Sequence, residues 1–203
     1  MNEPTQIMSD RDCIQTMIDP ARSSPASETV VTALVNLEKA NKKTTEPISY
    51  DQLLGKWRLW WITGTKKTRQ RSGIILGSGR YLPQWLKITL SYSKNSDFTL
   101  TDAEAGNVEN SVSFAGINLT LTGSTKFFPK QKILAFDFTE LTIKCFGKII
   151  YSGNIRKGKA SRETFYQEPI KKQAFFRYFL MEEDCIAARG RGGGLALWKR
   201  LEP

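Results

Sequence analysis

The sequence predicts a mainly β chain: an antiparallel up-and-down β-barrel preceded by N-terminal α-helices. Three observations carry this. Gly55 to Ile62 alternates Trp57, Leu59 and Trp61 with Lys56, Arg58, Trp60 and Ile62, the period of a strand with one wholly apolar face. Short alternating runs recur from there to the C-terminus with no helical pattern between them. Residues 1–50 instead carry apolar groups at three-and-four spacing. A Gly-x-Trp pair opening the first long strand suits a barrel in which glycine lets the chain bend inward and the indole plugs one end. An ordinary β-sandwich core strand is the alternative at this point.

Two units follow: a helical extension over 1–50 and a barrel domain over 51–203. In the extension, Ser9-Asp10-Arg11-Asp12 offers a cap, and Ile14, Met17 and Ile18 follow at helical spacing until Pro20. Ser24-Pro25 reads as a second cap with proline at the first helical position. Val30, Val31, Leu34 and Leu37 form its stripe, expected to pack on the barrel or fill its mouth. Asn41-Lys42-Lys43 ends it, and 44–49 is a linker around Pro47.

In the barrel domain, Lys66 to Arg71 is a basic turn or strand start, Ser72 to Leu76 a short strand, and Gly77-Ser78-Gly79 a break. Strands are then expected at Leu86–Leu90, Phe98–Thr101 and Ile117–Thr122, with Asp102–Gly106 a polar turn. Leu134, Phe136 and Phe138 alternate, and so do Leu141, Ile143 and Cys145. Gly147–Tyr151 follows a tight turn, and Gly153–Pro169 is a long polar connection. Phe176, Tyr178 and Leu180 alternate next, and Leu195, Leu197 and Trp198 form the last strand. The Arg189-Gly190-Arg191-Gly192-Gly193-Gly194 run lacks the following helix that a phosphate cradle needs. It reads as a hairpin whose strands approach closely.

Composition narrows the chemistry. The chain of 203 residues has no histidine, which removes histidine-based acid–base catalysis, histidine triads and histidine metal sites. Cys13, Cys145 and Cys185 follow no metal spacing and read as reduced thiols of an intracellular protein. No apolar run reaches the roughly 20 residues of a membrane-spanning helix. The acidic N-terminus suits neither a secretory signal nor a transit peptide, so the chain is expected to be made where it works or to be a processed form. Net charge is +10. Gln52 to Ser96 contains no acid and nine bases, among them Lys66, Lys67, Arg69, Arg71 and Arg80, and Leu141 to Arg162 is a second acid-free stretch. Such a field attracts a polyanion or an anionic membrane, or it is simply a solvated face. A nucleic-acid groove needs exposed aromatics beside the bases. Here the aromatics sit on uniformly apolar faces, so nucleic acid is not the expected partner.

Three stretches in order resemble motifs of the plastid-lipid-associated protein (fibrillin) family: Val35-Asn36-Leu37-Glu38-Lys39-Ala40-Asn41, Leu53-Leu54-Gly55-Lys56-Trp57-Arg58-Leu59, and Tyr178 through Leu197 with Glu182, Glu183, Asp184, Arg189 and Gly190. The resemblance runs over residues 10–200. Lys42 stands where the family has proline, and Trp60-Trp61 replaces an aromatic–threonine pair. The resemblance implies a lipocalin-like barrel that holds a prenylquinone, carotenoid or acyl lipid without catalysis and without a resident cofactor. It also implies peripheral association with a thylakoid membrane or lipid droplet, cytoplasmic in a bacterial phototroph or plastidic in a processed plant form. Bilin lyases, which act on linear tetrapyrroles, are an alternative by fold analogy alone. Expected ligand-site residues are Trp57, Leu59, Trp61, Leu119, Phe136, Phe138, Phe176, Tyr178 and Arg189, with Leu134 a further interior residue. Arg189 or Arg200 is expected to stack on Trp57 and close the barrel base.

Overall fold

The computed structural model describes residues 3–19, 21–44, 47–64, 79–155 and 164–201. Two helices, α1 (Glu3–Ile18) and α2 (Ser27–Lys42), precede a 3₁₀ turn at Tyr50–Leu53. Ten strands follow among the described residues: β1 (Gly55–Ile62), β2 (Arg80–Tyr81), β3 (Lys87–Lys94), β4 (Glu104–Phe114), β5 (Ile117–Phe128), β6 (Ile133–Cys145), β7 (Lys148–Asn154), β8 (Ala174–Met181), β9 (Cys185–Gly190) and β10 (Leu195–Arg200). All pairings are antiparallel. The ladder runs β1-β3-β4-β5-β6-β8-β9-β10, and β10 pairs back onto β1, closing an eight-stranded barrel. β2 extends the β1 edge beyond β3, and β7 flanks the far half of β6 beyond β8. Closure removes the sheet edges that an open sandwich would leave. The barrel with N-terminal helices is therefore the fold, and it has a lipocalin-like arrangement.

The wall from β8 to β1 is apolar on both faces, and bulges on its two outer strands shift their side-chain parity. On β1, Leu59 faces Trp198 and Trp61 faces Leu197, so Trp60 is the extra residue. On β8, Tyr178 faces Ala188 and Leu180 faces Ala187, so Phe179 is the extra residue. A one-residue insertion sends every later side chain to the opposite face. Trp57 and Leu59 therefore point inward, whereas Trp61 points outward, against the expectation from simple alternation. Trp61 packs with Ile14, Met17, Val30, Leu34 and Leu197 under the two helices.

Those helices lie along the outside of this wall, and the stripe Val30, Leu34 and Leu37 is buried against it. Polar contacts fix their register. The Trp60 indole donates to the Met17 carbonyl at 3.0 Å, Lys199 donates to the Ile18 carbonyl at 2.9 Å, and the Trp61 indole donates to Ser27 Oγ at 3.3 Å. Helix α2 begins at Ser27 behind Ala26 rather than at Pro25. The Pro25 carbonyl accepts the Tyr81 hydroxyl at 2.8 Å, which holds that residue outside the helix.

Three other departures have local causes. Phe98–Thr101 is a loop, because Asp97 N donates to Asn95 Oδ1 in a turn and Phe98 packs on Tyr166 with ring centroids 4.4 Å apart. β4 starts at Glu104, inside the stretch read as a turn. Its inner positions include Gly106 and Asn110, which blur its alternation. The two alternating runs of β6 are one strand, joined where Gly123 pairs with Phe138 and Thr122 with Glu140, leaving Thr139 extra. The expected strand at Ser72–Leu76 lies outside the described residues.

One ion pair clamps helix to hairpin. Arg189 Nε donates to Glu38 Oε1 at 2.8 Å, Nη2 donates to Glu38 Oε2, and Nη1 donates to the Gly193 carbonyl at 2.7 Å. The Arg189 hydrogen bonds hold the Glu38 carboxyl below the usual glutamate range, while Arg189 is held above its own. A depressed carboxylate contributes stability that is complete at neutral pH and is lost as pH falls through its lowered value. Glu38→Gln is therefore expected to cost about 1–2 kcal/mol at pH 7. The difference from wild type should vanish below the lowered Glu38 value, as read from urea unfolding against pH.

Candidate functional site: the barrel interior

The interior divides into a closed base and an apolar upper half. At the base, the 3₁₀ turn at Tyr50–Leu53 is capped by Ser49, whose hydroxyl accepts Asp51 N–H at 3.1 Å. It carries Tyr50 and Leu53, both fully buried, across the barrel end. The Trp57 indole donates to the Leu53 carbonyl at 2.8 Å. The Arg200 guanidinium lies 3.9 Å from the Trp57 ring centroid, and Arg200 also donates to the carbonyls of Leu54, at 3.0 Å, and Glu183. Gly55 sits at φ +110°, and a Cβ there would lie 2.8 Å from Arg200 Nη1. Glycine at this position is what lets the first and last strands close over the arginine.

Above the plug, buried tyrosines are satisfied in pairs. The Tyr92 and Tyr178 hydroxyls are 2.8 Å apart, and Tyr50 bonds Thr125 Oγ1 at 2.9 Å. Burial raises all three phenols, Tyr50 to about 12, so they are neutral hydrogen-bonding groups at physiological pH. Phe127, Leu134, Ile186 and Trp198 fill the remaining space and are buried.

The upper half differs. The pairings place Leu119 beside Val112 and Ile143, Leu121 beside Asn110 and Leu141, and Phe136 beside Phe176 of the neighbouring register, all on the inner face. These side chains are half-buried, unlike those of the base. Phe138, Phe136 and Phe176 form an aromatic run with centroids 5.5 and 5.0 Å apart, which reaches Trp198 at 5.3 Å. Asn110, on the inner face between Leu90 and Leu121, has its Oδ1 buried and without a hydrogen-bond partner. Where β8 leaves β6, after the Phe136–Ala174 pair, a cavity of about 260 Å3 opens. Its lining is largely polar: Asp137, Thr164, Glu168, Lys172 and Gln173 beside Phe136, Phe165 and Ala174. The turn at 164–167 beside it is anchored by buried Lys126, whose Nζ donates to the carbonyls of Phe165 at 2.9 Å and Glu168 at 2.5 Å. The inner wall is largely apolar with the Asn110 Oδ1 unpaired on it, and the neighbouring cavity is largely polar with the Gln173 Oε1 unpaired in it. The upper half can therefore take up an apolar molecule and orient a polar group.

Of the expected contacts, the structure brings Trp57, Leu59 and Tyr178 into the packed lower interior, and Leu119, Phe136, Phe138 and Phe176 into the upper half. Trp61 is excluded by the bulge. Arg189 is on the outer face, tied to Glu38 and beside an open basic groove of about 370 Å3 lined by Lys42, Arg177 and Arg191. Arg200, the other arginine considered, stacks on Trp57. Arg80 is exposed on β2, and Lys66, Lys67, Arg69 and Arg71 lie outside the described residues. Sequence reasoning missed Tyr50, which sits at the end of an apparent linker, and Asn110, on the strand whose alternation is weak. Among the described residues no group of three or more metal-ligating side chains converges, and no helix is long and apolar enough to cross a membrane. No family model matches the chain, and neither a curated protein nor a solved structure matches it. The geometry itself supports a barrel suited in general to a small hydrophobic ligand.

Arg200→Ala is expected to destabilise by about 2–3 kcal/mol, through loss of the cation–π contact and of hydrogen bonds from a charged donor. Arg189→Ala should leave the Trp57 environment unchanged in near-ultraviolet circular dichroism. Equal loss of that signal in both variants would contradict the assignment of the base to Arg200.

Proposed function

We propose that the protein is a non-catalytic carrier of a small hydrophobic molecule, a prenylquinone, carotenoid or acyl lipid, and that it works at the surface of a photosynthetic membrane or lipid droplet. The observation that carries this reading is the contrast along the barrel: a packed, plugged base below half-buried apolar walls on which the Asn110 Oδ1 is unpaired. The likeness of 35–41, 53–59 and 178–197 to plastid-lipid-associated proteins supports the ligand class and the setting, in plastids or in the cytoplasm of a bacterial phototroph. The basic field of the chain supports an anionic lipid surface as the partner. The bilin-lyase alternative needs an inward base to meet propionates, and Arg200 on the inner register is already committed to Trp57.

Solvent extraction of protein purified from a native host, followed by mass spectrometry and an absorption spectrum, tests the carrier reading. A stoichiometric prenylquinone, carotenoid or acyl lipid is the expected result. A linear tetrapyrrole would transfer the protein to the lyase class, and an empty barrel would remove the carrier function. Asn110→Leu supplies a second test. Replacing a buried unpaired amide by an apolar side chain should stabilise the empty protein by about 1 kcal/mol. The same change should weaken binding of a quinone more than binding of a pure hydrocarbon of similar length, as measured by tryptophan quenching.

A further inference from the structure

Two hairpin tips at the upper end of the barrel are built against local preference. The β4–β5 turn places Ala115 at φ 47° and Gly116 at φ 80°, and the β6–β7 turn places Phe146 at φ 46° and Gly147 at φ 81°. Two consecutive left-handed residues make tight hairpin turns whose first position favours asparagine, aspartate or glycine. A bulky side chain is strained there. Packing does not compensate, because Phe146 is 82% exposed. A residue kept at a strained position, with most of its surface in water, points to a role outside the fold.

Its surroundings indicate which role. Phe146 N–H donates to the Gly116 carbonyl at 2.8 Å, so the two turns form one edge. A Cβ on Gly116 would sit 2.6 Å from the Phe146 ring, which shows how closely that ring lies over the first turn. Phe114 is 52% exposed and meets Trp85, itself 64% exposed, with ring centroids 5.2 Å apart. Ile117 and Ile149 are also exposed. An apolar cluster of this kind is uncommon on a surface that faces only water. The charges around it have one sign. Residues 110–136 and 141–162 contain no acid, and Lys87, Lys144 and Lys148 are exposed beside the tips.

We infer that this edge is a membrane-docking surface: Phe114, Ile117, Phe146 and Trp85 enter the interfacial layer of an anionic phospholipid bilayer, and Lys87, Lys144 and Lys148 meet its headgroups. Aromatic and aliphatic tips among lysines match that layer, where apolar burial and attraction to anionic lipid act together. A second copy of the chain is the less suitable occupant. In a two-fold contact the same lysines would face their own counterparts. The proposal deepens the carrier reading and rests on it for the choice of a lipid surface. It sets the apolar upper end of the barrel, rather than its plugged base, toward the bilayer.

Phe146→Asn tests it without depending on a folding defect, because asparagine suits the left-handed turn position. The variant should melt a few degrees higher than wild type, yet bind phosphatidylglycerol vesicles at least about tenfold more weakly. Wild-type tryptophan emission should shift to the blue on these vesicles, and Trp85→Phe should remove most of that shift, since Trp57, Trp61 and Trp198 are already buried. Phosphatidylcholine vesicles should retain less protein, and added salt should lower retention on phosphatidylglycerol. Unchanged vesicle binding by Phe146→Asn, or a blue shift that survives Trp85→Phe, would overturn the assignment. So would self-association that Phe146→Asn abolishes in a protein that ignores vesicles. Titration with decylquinone in the absence of vesicles separates this result from the carrier reading. Quinone binding by wild type and Phe146→Asn alike, with vesicle binding unaltered, sinks the docking surface alone. No quinone binding by either, with vesicle binding lost in the variant, sinks the carrier and leaves the surface standing.

Discussion

Arg200 lying over Trp57 is the contact on which the barrel depends. It joins the last residue of the last strand to the first inward side chain of the first, two positions separated by nearly the whole barrel domain. A barrel needs such a link at one end, because strand pairing alone leaves the central channel unfilled. Here the indole fills that space, and the guanidinium beneath it is held by the Leu54 and Glu183 carbonyls. Placing the cation on an aromatic face and on carbonyl oxygens limits the cost of removing it from water. Gly55 is the geometric condition for the arrangement, since any side chain there would meet the arginine.

The second constraint is a wall with two apolar faces. β8, β9, β10 and β1 must pack the barrel interior on one side and two helices on the other, so apolar residues occupy both faces at most of their positions. Cys185 and Ala187 face the helices while Ile186 and Ala188 face the interior. The bulges at Trp60 and Phe179 fall on the two outer strands of this wall and let each contribute to both layers. The Glu38–Arg189 clamp then ties α2 to the β9–β10 hairpin, so the arginine–glycine run docks the helix.

Those features explain what could be read in advance. The alternations of β3, β5 and β6 were legible from their period of two, the first strand from its Gly-x-Trp opening, and the β9–β10 hairpin from its glycines. Their number and spacing allowed a sandwich or a barrel, and the Gly-x-Trp opening favoured the barrel that the β10–β1 pairing closes. Trp61 was misplaced because a bulge leaves no mark in a run where Trp60 and Trp61 are both apolar. Arg189 and Arg200 could not be separated, since their roles depend on whether a position faces the barrel or α2. β4 was hidden by Gly106 and Asn110 on its inner face. Gly106 is required there because a Cβ would fall 2.1 Å from the Tyr50 hydroxyl. Asn110 has no comparable structural reason, and that lack is what makes its unpaired amide informative about a ligand.

The same reasoning assigns direction to the molecule. Polar groups of the base are satisfied: the tyrosine hydroxyls pair, the Trp57 indole has its carbonyl, and Arg200 has its acceptors. Departures from local preference at the other end include an unpaired amide on the inner face and a strained aromatic residue on an exposed turn. Each costs stability in the isolated protein, and folding alone explains neither. A bound apolar molecule with one polar group would satisfy the first, and a lipid surface would bury the second. The first lies inside the upper half of the barrel and the second at its upper rim. A hydrophobic cargo passing between bilayer and interior would then cross at the tips without entering bulk water, the step whose free-energy cost otherwise limits exchange of such molecules.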